Sequence, residues 1–174
     1  MSSSLLQVGQ IRSLAPEDMP GVAAIFNEAV AAGEATIDPQ PRSVEQVTAW
    51  LTGDLPRYEV YVYDVGDGID AWGAITRYHE REAYSPTTEL AVYVRRSARH
   101  AGIGRRLLEL LLGRSRELDF HSAVLIIFPE PRYVIESAKK LGFRELGQLH
   151  SVAPVEGGWR DIVLLQTHLR REEG

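Results

Sequence analysis

The hydrophobic pattern of this chain changes after Val94, and that change limits the folds available to it. Before that point, two β-rich runs, Tyr58–Tyr63 and Ile69–Tyr78, flank the turn sequence Gly66-Asp67-Gly68, which is typical of a β-hairpin. A second hairpin is predicted between the second run and Val94. After Val94, apolar helices and strands alternate. Antiparallel hairpins followed by a β-α-β-α-β segment predict a mixed α/β domain with helices on both faces of its sheet.

Capping signals and periodicity give the remaining elements. Ala15–Asp18 is typical of a helix start, because its acidic residues favour the positive end of a helix. Ser43 and Gln46 form a predicted capping box, and two prolines within 33–42 predict an exposed loop before it. The other predicted elements are a strand near Ile11 and Leu14, helices ending at Ala32 and Trp50, a helix over Ile103–Leu112, a strand over Ala123–Phe128, a helix over Val134–Leu141 and a strand over Ile162–Leu165.

Composition excludes several classes of function. The 174 residues, 44% hydrophobic and 25% charged, are typical of one folded domain, which we place at residues 8–170. The absence of cysteine excludes disulfides, zinc–thiolate sites, iron–sulfur clusters and cysteine nucleophiles, and no His, Asp or Glu spacing indicates another metal site. The net charge of −5 argues against nucleic-acid and membrane partners. No basic leader with a long apolar run is present, so we expect a cytoplasmic protein.

A basic turn that contains glycine, residues 95–106, joins a predicted strand to a predicted helix. Gly102 and Gly104 allow a ligand to approach the backbone closely, and the free N–H groups and dipole of a helix start bind anions. Residues 95–116 contain seven arginines and one glutamate, a net charge of +6, so the rest of the chain carries −11. The segment predicts a pyrophosphate site, although a solvated helix start with glycine in its turn has the same pattern.

Other phosphate-binding motifs do not fit this segment. The chain has no Gly-x-x-x-x-Gly-Lys-Ser/Thr sequence, which excludes a nucleotide-hydrolysing phosphate loop, and Gly102-Ile103-Gly104 lacks the third glycine of a dinucleotide fingerprint. No aromatic residue lies between Arg95 and Arg116, as base stacking would require.

Arg99-x-x-Gly102-x-Gly104 resembles the acetyl-coenzyme A signature of the GNAT superfamily of N-acetyltransferases, Gln/Arg-x-x-Gly-x-Gly/Ala. The closer resemblance is to phosphinothricin and methionine sulfoximine N-acetyltransferases, and it spans about residues 10–168. Further matching segments in the expected order are Ile11-Arg12 through Asp18-Met19, Ala35-Thr36-Ile37-Asp38-Pro39, Arg81-Glu82-Ala83-Tyr84, Glu89-Leu90-Ala91-Val92-Tyr93-Val94, Leu141-Gly142-Phe143 and Gly157-Gly158-Trp159-Arg160-Asp161.

This resemblance implies the GNAT fold, a splayed central mixed sheet flanked by helices, with acetyl-coenzyme A as co-substrate and no metal. The pantetheine arm would lie in the splay against the backbone of Val92 and Val94, and the pyrophosphate would lie on the glycine turn. The implied cofactor-binding residues are Val92, Tyr93, Val94, Arg99, His100, Ala101, Gly102, Ile103, Gly104 and Arg105.

Glu89 occupies the position of the general base in the resembling enzymes. An acceptor ammonium must lose its proton before it attacks a thioester, and a carboxylate can accept that proton; the alternative is a solvated hairpin glutamate. The slot of the family's general acid holds Ala138, and the Asn and Ser slots before it hold Pro131 and Val134. Tyr133 is either a substitute acid or a structural tyrosine.

The resemblance also implies a homodimer that acetylates the amino group of a small molecule, an amino acid or its analogue. The implied acceptor-binding residues are Thr36, Arg77, Arg81, Tyr84 and Trp159. Each has an alternative role, such as a surface ion pair for Arg81 or an aromatic plug for Trp159, and Ile37 stands where the family usually has phenylalanine. Two other functions stay open: acetylation of a protein amino group, and a coenzyme A-binding sensor with impaired catalysis.

Overall fold

The computed structural model describes residues 9–35, 38–53 and 57–170, and its strands form one sheet. The strands are β1 (Gln10–Ser13), β2 (Val60–Asp64), β3 (Ile69–Arg77), β4 (Thr87–Val94), β5 (Ser122–Ile127), β6 (Arg144–Val155) and β7 (Gly158–His168). The helices are α1 (Met19–Ala31), α2 (Val44–Thr52), α3 (Ile103–Glu117) and α4 (Arg132–Lys140). In the described ranges, no helix is long and apolar enough to cross a membrane.

The strand order is β1-β2-β3-β4-β5-β7-β6, and β4 runs parallel to β5 while the other neighbouring strands are antiparallel. The mixed sheet predicted from the sequence is therefore confirmed. The pairing of β4 with β5 covers three positions, from Thr87 opposite Ser122 to Glu89 opposite Val124. Beyond Glu89, β4 continues for five residues without pairing to β5. The sheet therefore splays from Glu89 onward, as the resemblance implies.

Side chains of β4 alternate between two helical layers, because successive residues of a strand point to opposite faces. Tyr93 faces α1 and α2: its ring stacks on Trp72, with centroids 4.7 Å apart, and meets the edge of Phe26 at 5.4 Å. Leu90 and Val92 pack in the apolar cluster that contains Leu111 of α3. By the same alternation, Glu89 lies on the face of Tyr93.

The predicted capping box of α2 is confirmed. The Gln46 amide donates to Ser43 Oγ at 3.2 Å, and the Ser43 amide donates to Gln46 Oε1 at 2.8 Å. This cap ends the loop between α1 and α2 and fixes where α2 begins. Helices α1 and α2 together cover the face of the sheet that carries Glu89.

The long hairpin of β6 and β7 corrects the sequence-based prediction, which contained only a strand over Ile162–Leu165. β6 has one sheet neighbour, β7, and is exposed along most of its length. Its register shifts after Glu145 and again after Leu149. These irregularities remove the alternation that would have indicated a strand. Exposed apolar side chains on the hairpin are Leu146, Leu149, Val152 and Trp159.

Candidate active site

A cavity of about 380 Å³ opens where β4 and β5 separate. Its walls come from β4, the turn before α3, the end of β5 and the first turns of α4. Residues that line it include Glu34, Glu89, Leu90, Ala91, Val92, Tyr93, Val94, Arg99, His100, Gly102, Ile103, Gly104, Arg105, Phe128, Pro131, Tyr133, Val134, Ser137 and Ala138. The cavity therefore contains the predicted base and all but one of the predicted cofactor-binding residues; Ala101 is exposed in the turn.

The turn before α3 has the backbone geometry expected of an anion-binding site. Gly102 lies at φ +78°, in the left-handed region that favours glycine. A Cβ on Gly104 would lie 3.4 Å from Val94 Cγ2 and 3.9 Å from Val92 Cγ1, so hydrogen at this position keeps the helix start open toward the splay. The first N–H groups of α3 have no partner within the helix and are available to a ligand at this end.

The side chain of Arg99 is held inside the site. Its Nη2 lies 2.6 Å from Glu34 Oε2, and its Nε donates to the Val94 carbonyl at 3.2 Å. The hydrogen bond to Glu34 raises the pKa of Arg99 above its usual value. Arg105, by contrast, is exposed and pairs with Glu109. The predicted phosphate-binding arginine therefore already has a carboxylate partner, which the sequence pattern did not indicate.

Glu89 lies half-buried at the point where the splay begins. Desolvation raises the pKa of its carboxyl from 4.5 to about 7, because burial disfavours the charged form. A group with that pKa can exist as carboxylate or as acid near neutral pH, as a general base requires. Glu89 is thus a cavity residue and not a solvated hairpin glutamate. Tyr93, on the same face, has its phenol pKa raised by burial and by the Glu89 charge.

The residues of α4 and its N-cap that depart from the family pattern line the cavity, but none of them provides a general acid next to Glu89. Ala138 is buried and has no proton to donate. Tyr133 is half-exposed, and its ring centroid lies 5.3 Å from that of His100. Tyr133 therefore belongs to the glycine-turn end of the cavity, whereas Glu89 lies where the splay begins.

The predicted acceptor residues lie elsewhere. Arg77 and Arg81 line a smaller basic pocket of about 140 Å³, together with Arg57, Tyr58, His79, Glu82 and Ser85. Arg77 pairs across the sheet with Thr88, one residue before Glu89, so it lies on the opposite face from Glu89. Tyr84 packs against Tyr78 and His79, Trp159 is 64% exposed on the β6–β7 hairpin, and Thr36 lies outside the described residues.

Sequence reasoning missed a contact beside the cavity. The Arg160 guanidinium lies 3.7 Å from the ring centroid of Phe128, a cavity residue, and Nη1 donates to the Gly33 carbonyl at 2.5 Å. Arg160 thereby links β7 to the loop after α1, which also carries Glu34. The sequence signal for this contact is the Gly157–Asp161 segment, in which the resemblance implies a role for Trp159 but none for Arg160.

Residues 11–164 match the acetyltransferase (GNAT) domain. This chain belongs to the GNAT family. It is therefore an N-acetyltransferase that uses acetyl-coenzyme A. Within residues 9–35, 38–53 and 57–170, no group of three or more His, Asp or Glu side chains could hold a metal ion.

Several similar proteins of this family are named for amino-acid-like acceptors. The L-methionine sulfoximine/L-methionine sulfone acetyltransferase of Pseudomonas aeruginosa is 30% identical over 161 residues, covering 91% of this chain and 94% of that protein. The L-amino acid N-acyltransferase MnaT of Escherichia coli is 26% identical over 160 residues, covering 91% and 93%. The crystal structure of a phosphinothricin acetyltransferase from Sinorhizobium meliloti in complex with acetyl-coenzyme A has a TM-score of 0.85, with 25% identity and coverage of 96% and 95%.

The residues of this GNAT domain fit acetyl-coenzyme A. The open helix start at Gly104 supplies unpaired N–H groups for a pyrophosphate, and the apolar side chains of Val92 and Val94 border the splay. When bound, the coenzyme supplies an acetyl thioester. The N–H groups of the helix start would hold its phosphates, and the unpaired length of β4 would offer backbone groups to its arm.

The ion pair between Arg99 and Glu34 leads to a prediction for coenzyme affinity. The Glu34 carboxylate and a pyrophosphate are both anions that attract Arg99, so we expect Glu34→Gln to lower the Kd for acetyl-coenzyme A by about 3- to 10-fold at low salt. Isothermal titration calorimetry measures this change, with Glu117→Gln at the exposed end of α3 as control. Weaker binding in Glu34→Gln would instead mean that Glu34 orients Arg99 for the coenzyme.

Proposed function

We propose that this acetyltransferase transfers the acetyl group directly to the α-amino group of a free amino acid or an analogue of the phosphinothricin or methionine sulfoximine type. The half-buried Glu89 at the start of the splay carries the proposal, because it lines the cavity in which we place the acetyl donor. The names of the similar proteins support the substrate class. Acetyl-coenzyme A as donor is compatible with a cytoplasmic location.

Glu89 performs the proton transfer in this proposal. An acceptor ammonium has a pKa above about 7 and is mostly protonated at neutral pH, so it needs a base before it can react. The Glu89 carboxylate accepts the first proton directly or through one water molecule, and the lone pair of the neutral amine forms the new amide bond as the thioester C–S bond breaks. The second proton of the nitrogen goes to the departing coenzyme A thiolate, which leaves as the thiol. Because the chain has no cysteine, transfer through a cysteinyl intermediate is excluded.

A thiol-release assay with acetyl-coenzyme A tests the acceptor class. The panel contains phosphinothricin, L-methionine sulfoximine, L-methionine sulfone and a peptide with a free N-terminus and one lysine. We expect turnover with at least one amino-acid acceptor and none with the peptide. Turnover with the peptide alone would indicate a protein acetyltransferase. Coenzyme binding by calorimetry without turnover on any amine would indicate a sensor.

We also propose that two copies of the chain pair through the β6–β7 hairpin. Four exposed apolar side chains on this hairpin, among them Leu149 and Trp159, lack a covering layer within the described residues. Exposed apolar patches of this kind mark interaction sites. A second copy would also explain why the predicted acceptor residues Arg81 and Tyr84 lie outside the cavity of their own chain.

The proposed dimer predicts the behaviour of a charged variant of the hairpin. Leu149→Glu places a charge in the apolar surface of each copy, so we expect the dimer Kd to rise by about 100-fold or more. Light scattering coupled to size-exclusion chromatography measures the mass, and circular dichroism checks the fold. Glu156→Gln in the β6–β7 turn is the control. A monomeric wild-type protein across micromolar concentrations contradicts the proposal.

A further inference from the structure

The face of β4 that carries Glu89 looks onto the layer of α1 and α2, and this layer contains a positioned arginine, Arg42. The Arg42 guanidinium carbon lies 5.0 Å from the ring centroid of Trp50 and 5.7 Å from that of Phe26. Cation–π contacts of this kind hold a guanidinium in a defined plane. Arg42 lies in the loop before α2, outside the set of residues that the family resemblance selects.

The backbone of Arg42 is also fixed. Its amide donates to Asn27 Oδ1 at 2.9 Å, and its carbonyl accepts from Asn27 Nδ2 at 2.8 Å. Its Nε pairs with the carboxylate of Asp38, and about a quarter of its side chain is exposed. A guanidinium has five N–H donors, and the pairing with Asp38 uses the one at Nε. The side chain is thus held by Phe26, Trp50 and Asp38, and it still reaches solvent.

Tyr93 connects Arg42 to the base. The Tyr93 ring meets Phe26, which also contacts Arg42, and Tyr93 lies on the same face of β4 as Glu89. Burial raises the pKa of the Tyr93 phenol, and of the nearby charges Glu89 raises it whereas Arg42 lowers it. Arg42 contacts Phe26, which contacts Tyr93, so Arg42 lies on the side of the sheet that carries Glu89.

We infer that Arg42 binds the carboxylate of an α-amino-acid acceptor while Glu89 receives the proton of its ammonium group. This inference rests on the proposed function. An α-amino acid carries opposite charges on adjacent groups, so a site for it needs a cation close to the base. Among the arginines selected from the sequence, Arg77 lies on the opposite face of the sheet, whereas Arg42 lies on the face of Glu89. A planar guanidinium matches a carboxylate in geometry and charge.

A purely structural role would make Arg42 a cover for Phe26 and Trp50. Such a role predicts equal losses for every acceptor when Arg42 is replaced, because the change would act through folding or through the shape of the site. Recognition of a carboxylate predicts a loss confined to acceptors that carry one.

The test compares L-methionine sulfone with 3-(methylsulfonyl)propan-1-amine, which has the same side chain and no carboxylate. For Arg42→Met we expect the KM for the sulfone to rise by about 30-fold or more, with kcat changed less than KM and kcat/KM for the amine changed less than 3-fold. Arg42→Lys should recover part of the loss. Calorimetric binding of the sulfone in the presence of coenzyme A should weaken in parallel in Arg42→Met.

Arg114→Met is the matched control, because Arg114, at the far end of α3, is also partly exposed and also pairs with a carboxylate, that of Glu59. It should leave the ratio of the two kcat/KM values unchanged. Equal losses for both acceptors in Arg42→Met would overturn the role of Arg42 and leave the proposed function intact. Wild-type protein that acetylates the amine but neither binds nor acetylates the sulfone would also overturn it. Failure of wild-type protein with both probes would contradict both proposals.

Discussion

Replacing Glu89 with glutamine is expected to lower kcat/KM for the amine acceptor by about 100- to 10,000-fold at neutral pH. Glutamine keeps the size and hydrogen-bonding capacity of the side chain but cannot accept the ammonium proton. Acetyl-coenzyme A should bind Glu89→Gln with nearly unchanged affinity, because the proposed coenzyme-binding features lie along the unpaired part of β4 and the helix start. Steady-state kinetics and calorimetry separate the two effects. Undiminished turnover in Glu89→Gln would contradict the assignment of the base.

The pH profile provides a second measurement on the same residue. Since burial raises the pKa of Glu89 to about 7, the fraction of base in the carboxylate form falls as the pH decreases below 7. We therefore expect the acid limb of kcat/KM in wild-type protein to have an apparent pKa of about 7, and we expect this limb to be absent from the residual activity of Glu89→Gln. An acid limb near pH 4.5 would mean that the carboxyl is solvated in the working enzyme.

The raised pKa also has a consequence for stability. Below pH 4.5 the carboxyl is protonated in both folded and unfolded chains, so the wild type and the Glu89→Gln variant should differ little in their free energy of unfolding. Between pH 4.5 and about 7 the carboxyl ionises first in the unfolded chain, so the free energy of unfolding of the wild type falls with rising pH relative to that of Glu89→Gln. Above pH 7 the difference is constant. Urea unfolding of wild type and Glu89→Gln at pH 4.5 and 8 measures it, with Glu117→Gln as control.

Gly104→Leu is expected to weaken acetyl-coenzyme A binding by about 100-fold or more while the protein stays folded. A Cβ at this position points toward Val92 and Val94 at ordinary contact distance, so a leucine side chain would fill the splay where the arm and pyrophosphate are expected. The backbone of Gly104 is helical, and leucine is a good helix former. The fold should therefore tolerate the change better than the ligand does.

Gly113→Leu in the same helix is the matched control for this prediction. A Cβ at Gly113 meets nothing within 4 Å, so the variant adds the same side chain in open space. Calorimetry with acetyl-coenzyme A and thermal unfolding of both variants distinguish ligand exclusion from misfolding. Wild-type affinity in a folded Gly104→Leu protein would show that the coenzyme does not use the helix start at Gly104.

Much of the sheet was predictable from local signals. The hairpin turn at Gly66–Gly68, the capping box at Ser43 and the glycine turn before α3 each depend on a few neighbouring residues, and all three are present in the structure. β6 was not predictable in the same way. It is an edge strand whose two register shifts break the alternation, and its pairing with β7 is decided by tertiary structure.

The site was predictable where it follows one continuous segment. Glu89 and the glycine turn lie within about fifteen residues of each other, and the resemblance of that segment fixes their relation. Arg77 shows why the acceptor-binding residues were not predictable. Whether Arg77 and Glu89 lie on the same face of the sheet depends on the register between β3 and β4, and a shift of one residue would reverse the answer. Likewise, the pairing of Glu34 with Arg99 and the position of Arg42 bring together residues from separate elements.

Because β4 pairs with β5 only as far as Glu89, the rest of β4 sets the distance between the proposed base and the glycine turn before α3. Five residues separate Glu89, the last paired position, from Val94 at the end of the strand, a length of roughly 17 Å in extended backbone. Removing one residue from this interval would shorten the distance and also turn Glu89 to the opposite face relative to the glycine turn. Inserting one residue would lengthen the distance and turn Glu89 in the same way, so this interval should tolerate exchange of side chains far better than any change in its number of residues.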